Sequence, residues 1–153
     1  MLNIVLVEPE IPQNTGNISR TCVVTGTALH MVRPFGFELS DRTLKRAGLD
    51  YWKDLEVYYY DSFEEFERRN AGGRFFLAST HAGRSYHEVD YRESDFLIFG
   101  KETAGLGAEL LSRYPDCGVR IPMCSGQRSL NLSNAVAVVL YEALRQTGFA
   151  SLM

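Results

Sequence analysis

The stretch Asp95-Phe96-Leu97-Ile98-Phe99-Gly100-Lys101-Glu102-Thr103-Ala104-Gly105-Leu106-Gly107 decides the fold. From Phe96 to Phe99 every position is apolar, so both faces of the segment need cover, as in a parallel sheet. Three glycines then turn the chain, and a helical pattern through Leu110 and Leu111 follows. A doubly covered strand running into a turn and a helix is the repeating unit of a parallel α/β sheet.

The same alternation extends outward in both directions. Arg74 to Ser79 is a second strand of this kind, preceded by the Gly72-Gly73 turn and a helix over Ser62 to Arg69. Val57 to Tyr60 reads as a strand, and Asp41 opens a short helix carrying Leu44 and Ala47. Further back lie strands at Leu2 to Val7 and Ala28 to Val32, with a helix from Asn14 to Thr25 between them. Pro9 and Pro12 close the first strand, and Gly26 suits the helix stop. Toward the C-terminus come a strand at Gly118 to Ile121 and a last helix from Ser133 to Gln146, with Asn131 and Ser133 as cap candidates. The expectation is one α/β domain over residues 1–153, with a mainly parallel sheet and helices on both faces. The last helix reads as apolar nearly all round at 135–140, which predicts cover from the sheet and from a second copy of the chain.

Composition narrows the function. The chain is 45% hydrophobic and 23% charged, a globular balance that excludes a disordered tail or a coiled coil. No apolar run approaches the ~18 residues of a membrane span, and no signal peptide is legible. Three cysteines, Cys22, Cys117 and Cys124, stand at no zinc spacing and read as free thiols of a cytoplasmic protein. A net charge of −3 excludes a globally basic nucleic-acid binder. Yet 13 of the 16 basic residues are Arg, whose planar fork suits phosphate; genomic composition explains the same ratio. Asp50 to Glu67 holds seven acidic residues and one Lys, a face that repels RNA.

Several chemistries lack their signatures. There is no dinucleotide-binding G-x-G-x-x-G after the first strand, no complete P-loop and no nucleophile elbow. The three histidines, His30, His81 and His87, fit no metal pattern, so no metal is expected. Three polar segments remain. Asn14-Thr15-Gly16-Asn17-Ile18-Ser19-Arg20 carries the only cation of the first 32 residues. Gly100 to Gly107 leaves a buried strand, where parallel sheets bind ligands. Ile121 to Asn134 crowds Ser129, Asn131, Ser133 and Asn134 at the start of the last helix, more than one cap requires.

Taken in this order, with Arg46-Ala47-Gly48-Leu49-Asp50-Tyr51, these segments resemble the SPOUT-class RNA 2′-O-methyltransferases, in their minimal single-domain type that acts on the wobble nucleotide of tRNA. The resemblance covers essentially the whole chain. It implies a C-terminal trefoil knot, a homodimer, and S-adenosylmethionine held mostly by backbone at Ala78, Gly100, Ile121 and Ser129, with Met123 and Leu130 close by. It also implies a catalytic Arg20, with Ser129 and Asn131 orienting it or the ribose. A guanidinium is effectively never deprotonated, so Arg20 is expected to stabilise the developing alkoxide and fix a phosphate. The tRNA anticodon stem-loop is then the partner, gripped by Asn14 and by Arg42, Lys45 and Arg46, a basic face at i, i+3, i+4. Two alternatives stay open: 2′-O-methylation of another tRNA or rRNA nucleotide, and a non-catalytic dimeric RNA-binding module.

Overall fold

The computed structural model describes residues 1–40, 52–150 and 152–153. The expected helix at 41–47 and the cations Arg42, Lys45 and Arg46 lie outside the described residues.

Six parallel strands form one sheet: β1 (Asn3–Val7), β2 (Ala28–Val32), β3 (Val57–Tyr60), β4 (Phe75–Ala78), β5 (Phe96–Phe99) and β6 (Gly118–Val119). Their spatial order is β3-β2-β1-β5-β4-β6. Strand β1 pairs Ile4 with Leu29 on one side and with Leu97 on the other, so the most apolar strands sit centrally. Helices α1 (Pro12–Thr25) and α4 (Leu132–Gln146) cover one face; α2 (Phe63–Arg69) and α3 (Ala108–Arg113) cover the other. Alternation along β1 divides the core accordingly. Ile4 and Leu6 meet Ile18, Cys22, Val136 and Leu140, whereas Val5 and Val7 face Phe63 and Phe66.

Local chemistry fixes the helix ends. Gly26 closes α1 in the left-handed conformation at φ 63°, with its N–H aimed at Cys22 and Val23 carbonyls. Ser62 caps α2 by accepting from the Glu65 N–H at 3.1 Å. Within the single chain, helix α4 is covered on one side only. Its buried side is Val136, Val139, Leu140, Ala143 and Leu144, while Asn134, Val138, Tyr141 and Arg145 form an exposed stripe. One sheet face and one neighbouring helix cover only one side of a cylinder. Strand β6 is shorter than Gly118 to Ile121. Past Val119 the chain leaves β4, and Arg120 bonds instead to the loop after β4: Arg120 N–H to the Arg84 carbonyl at 2.8 Å, and Tyr86 N–H to the Arg120 carbonyl at 2.8 Å.

His30, buried within the sheet, has both ring nitrogens partnered. Tyr60 Oη donates to its Nδ1 at 2.8 Å, and its Nε2–H donates to Asn3 Oδ1 at 3.0 Å. Asn3 in turn donates to the Ser94 and Asp95 carbonyls, and Asn70 donates to Tyr60 Oη, which assigns the tautomer. Rings of Tyr58, Phe66 and Phe96 surround the imidazole. Burial therefore pushes its pKa down to about 4. The unfolded chain titrates His near 6.5, so between these values the unfolded state holds the extra proton. Stability is full above about pH 6.5 and falls as the pH drops toward 4. Between pH 6.5 and 5 the loss from this group is about 2 kcal/mol. Urea unfolding at the two pH values measures it, and His30→Gln flattens the dependence.

Candidate active site at the carboxyl edge

The chain reverses its direction of travel between β1 and β5. From β1 it proceeds through α1 to β2 on one side; from β5 it proceeds through α3 to β6 on the other. Such a switch opens a crevice at the strands' carboxyl ends. The segments leaving β1 and β5 meet at this edge, and the start of α4 joins them.

A hydrogen-bonded chain of side chains ties the three polar segments together. Helix α1 begins at Pro12 with no side-chain cap and no acidic residue in its first turn. Glu102, from the loop after β5, supplies the missing anion. Its carboxylate accepts from the Glu10 N–H at 2.8 Å, the Ile11 N–H at 3.1 Å and Asn14 Nδ2 at 3.3 Å. A carboxylate there satisfies orphan donors and complements the positive end of the helix. Asn14 Oδ1 accepts from Asn131 Nδ2 at 3.0 Å. Asn131 Oδ1 accepts from the Ser133 N–H at 2.9 Å, Ser133 Oγ at 2.6 Å and the Asn134 N–H at 3.4 Å, capping α4. In return Glu10 Oε1 accepts from the Thr103 N–H at 3.0 Å and Thr103 Oγ1 at 2.7 Å, and these bonds hold the Glu10 carboxyl below the usual carboxylate range.

Two expectations change in this light. Asn14, expected on the RNA-facing surface, is buried with both amide atoms engaged inside the protein. Asn131, expected to orient Arg20 or a ribose, spends its amide on the α4 cap and on Asn14. Two of the four polar residues crowded there, Asn131 and Ser133, thus form a cap and a tether. Glu10 and Glu102, at the centre of the network, were not singled out in the sequence. The signal available was the uncapped start of α1, which called for an anion from elsewhere in the chain.

The other residues fall around this core. Ala78 ends β4, Gly100 follows β5 and Ile121 follows β6, so the three stand at the carboxyl ends of adjacent strands. Gly100 is buried, Ala78, Ile121 and Met123 are half-buried, and Ser129 and Leu130 are exposed. The Gly100 loop folds back on itself, with the Gly105 N–H bonded to the Lys101 carbonyl at 2.9 Å. A Cβ on Gly100 would overlap the backbone of Gly105 and Leu106. Arg20 lies six residues beyond Asn14, about 9 Å along the axis of α1, on the exposed side with Gln13, Asn17 and Val24. His81 and His87 are exposed, and His87 Nδ1 bonds Ser85 Oγ at 2.8 Å. Among the described residues no cluster of three or more His, Cys, Asp or Glu side chains is placed to hold a metal ion.

Residues 1–141 match the SpoU rRNA Methylase family. The chain belongs to the SpoU methylases. It is 50% identical over 151 residues to the tRNA (cytidine(34)-2′-O)-methyltransferase of Saccharophagus degradans, covering 98% of both chains. A solved structure concerned with the 2-OH methylation of C/U34 on tRNA superposes with a TM-score of 0.91 at 48% identity, over 97% of each chain. The SpoU methyltransferase AviRb from Streptomyces viridochromogenes, solved in complex with the cofactor AdoMet, superposes with a TM-score of 0.83 at 27% identity. That alignment covers 100% of this chain and 59% of AviRb.

Proposed function

We propose that the protein transfers a methyl group from S-adenosylmethionine to the ribose 2′-hydroxyl of the wobble nucleotide, cytidine or modified uridine, in tRNA anticodon loops. One observation carries this reading. All three polar segments converge on one sheet edge in a chain that matches tRNA (cytidine(34)-2′-O)-methyltransferases from end to end.

The cofactor is placed at the carboxyl ends of β4, β5 and β6 by this reading. Ala78, Ile121, Met123 and Leu130 supply apolar surface for a flat base, and the backbone at Gly100 and Ser129 supplies polar groups for the ribose and the amino-acid end. Bound there, S-adenosylmethionine supplies a methyl already activated by its sulfonium. The protein's task is placement: the 2′-hydroxyl must approach along the line of the breaking bond, at about 3–3.5 Å. Transfer leaves S-adenosylhomocysteine, and the hydroxyl proton passes to solvent water; Arg20 stabilises the oxygen as that proton leaves and holds the neighbouring phosphate. Ser129 orients the ribose, and Asn131 positions Asn14 and, through it, α1. Arg42, Lys45 and Arg46 grip the anticodon stem-loop.

The protein acts as a cytoplasmic homodimer, with the chain beyond β6 threaded through the loop after β4 as a trefoil knot. Pairing of Arg120 with Arg84 and Tyr86 of that loop supports the threading. Support for the dimer comes from adjoining exposed positions on packed helices: Val138 and Tyr141 on α4, at 37% and 47%, and Val24 on α1, at 58%. Arg20 stands on the same side of α1 as Val24, so pairing two copies there brings it to the interface. Sedimentation of the wild type gives a dimer. Tyr141→Glu places a charge in the apolar contact and gives a folded monomer.

Incubation with labelled S-adenosylmethionine and tRNA, followed by mapping of 2′-O-methyl groups, tests the function. The label appears at the wobble ribose. Label at another nucleotide, or none with any tRNA, overturns the reading.

A further inference from the structure

We propose that Glu10 is a positioning residue for methyl transfer: with Glu102 it straps the loop after β5 to the segment that delivers α1. The inference rests on the function proposed above.

The two carboxylates cross. Glu102 projects from the Gly100 loop and takes the backbone N–H groups of Glu10 and Ile11. Glu10 projects the other way and takes the N–H and hydroxyl of Thr103. Each loop therefore bonds the other through one side chain and through its own backbone. The segment around Glu10 is held on further sides. Glu8 adopts φ 54°, a left-handed conformation costly for a residue with a Cβ, which persists only where the surroundings over-determine it. Lys101 Nζ lies 3.8 Å from the Glu8 carboxylate. Gly36 packs against Glu10 so closely that a Cβ there would meet Glu10 Cα at 2.7 Å, and the Gly36 N–H bonds the Pro9 carbonyl at 2.9 Å.

The consequence is geometric. The Gly100 loop holds the methyl donor, and α1 carries the arginine that meets the attacking oxygen. The strap sets the distance between them, and a displacement of about 1 Å in such a pair costs ~100-fold in rate. Glu10 touches neither reactant in this arrangement, so its effect falls on turnover rather than on capture of tRNA.

Four variants of the full chain test this: Glu10→Ala, Glu10→Gln, Thr103→Val and the double Glu10→Ala/Thr103→Val. Glu10→Ala lowers kcat about tenfold with KM for tRNA unchanged; Thr103→Val, which loses the hydroxyl bond but keeps the backbone N–H bond to Glu10, lowers it less, and the double variant falls no further than Glu10→Ala because the Thr103 hydroxyl acts only through Glu10. Glu10→Gln, which keeps an acceptor oxygen, restores most of the rate. Amide hydrogen exchange over residues 100–107 accelerates in Glu10→Ala and not in Glu10→Gln. Additive losses, a KM change as large as the kcat change, or unaltered exchange overturn the proposal. A wild-type chain without methyl transfer defeats the proposed function instead, and exchange still reports whether Glu10 holds the loop.

Discussion

Arg20→Ala lowers single-turnover methyl transfer to tRNA about 100- to 1000-fold, while calorimetry shows unchanged binding of S-adenosylhomocysteine. The size follows from what is lost. A preorganised cation beside an oxygen that gains negative charge only in the transition state is worth ~3–4 kcal/mol, and that energy appears in the rate rather than in ground-state binding. Arg20 stands on the exposed side of α1, so its truncation leaves the backbone at Ala78, Gly100 and Ile121, where the cofactor is proposed to bind, in place. Arg20→Lys retains the charge but not the planar fork that holds a phosphate and an adjacent oxygen together; its rate lies between wild type and Arg20→Ala. Near-normal turnover in Arg20→Ala removes the electrostatic role assigned here.

Gly100→Ala is the second large effect, and its cause is internal. The added methyl coincides with the backbone of Gly105 and Leu106, which cannot yield as a side chain can. The loop must open, and the Gly105 to Lys101 bond breaks with it. Affinity for S-adenosylhomocysteine falls ~100-fold, since a backbone-built site moves as a whole. Overpacking of this kind costs about 1–3 kcal/mol of stability, or several degrees in melting temperature. Gly105→Ala is the control. Gly105 adopts φ 66° with open space around its Cβ direction, so alanine there brings only local strain of about 1–2 kcal/mol. Normal ligand affinity in Gly100→Ala would dissociate this loop from the site.

The same glycine shows how the sequence and the structure divide the explanation. The glycines after the buried strand mark a turn where parallel sheets bind ligands. The structure gives Gly100 a nearer reason, since its own loop occupies the space a Cβ would need. Asn131 is a similar case. Its suitability as a cap was legible from residue type, but its second bond, to Asn14 across 117 positions of sequence, was not. The aromatic run Tyr58-Tyr59-Tyr60 was read as a strand, and β3 is that strand; that Tyr58 and Tyr60 both face His30 required β2 and β3 to be paired in register.

By itself the sequence determined the alternation of strands and helices, the parallel sheet with both faces covered, and the three polar segments with their order. Those properties depend on periodicity and on local turn and cap chemistry, which neighbouring residues carry. Tertiary structure alone decided that Glu102 caps a helix ninety residues away, that Glu10 answers it through Thr103, and which side of α4 stays exposed. A lone carboxylate in a sequence does not specify which unpaired N–H it will meet. That is settled when the sheet order sets β1 beside β5 and brings the two loops within hydrogen-bond reach.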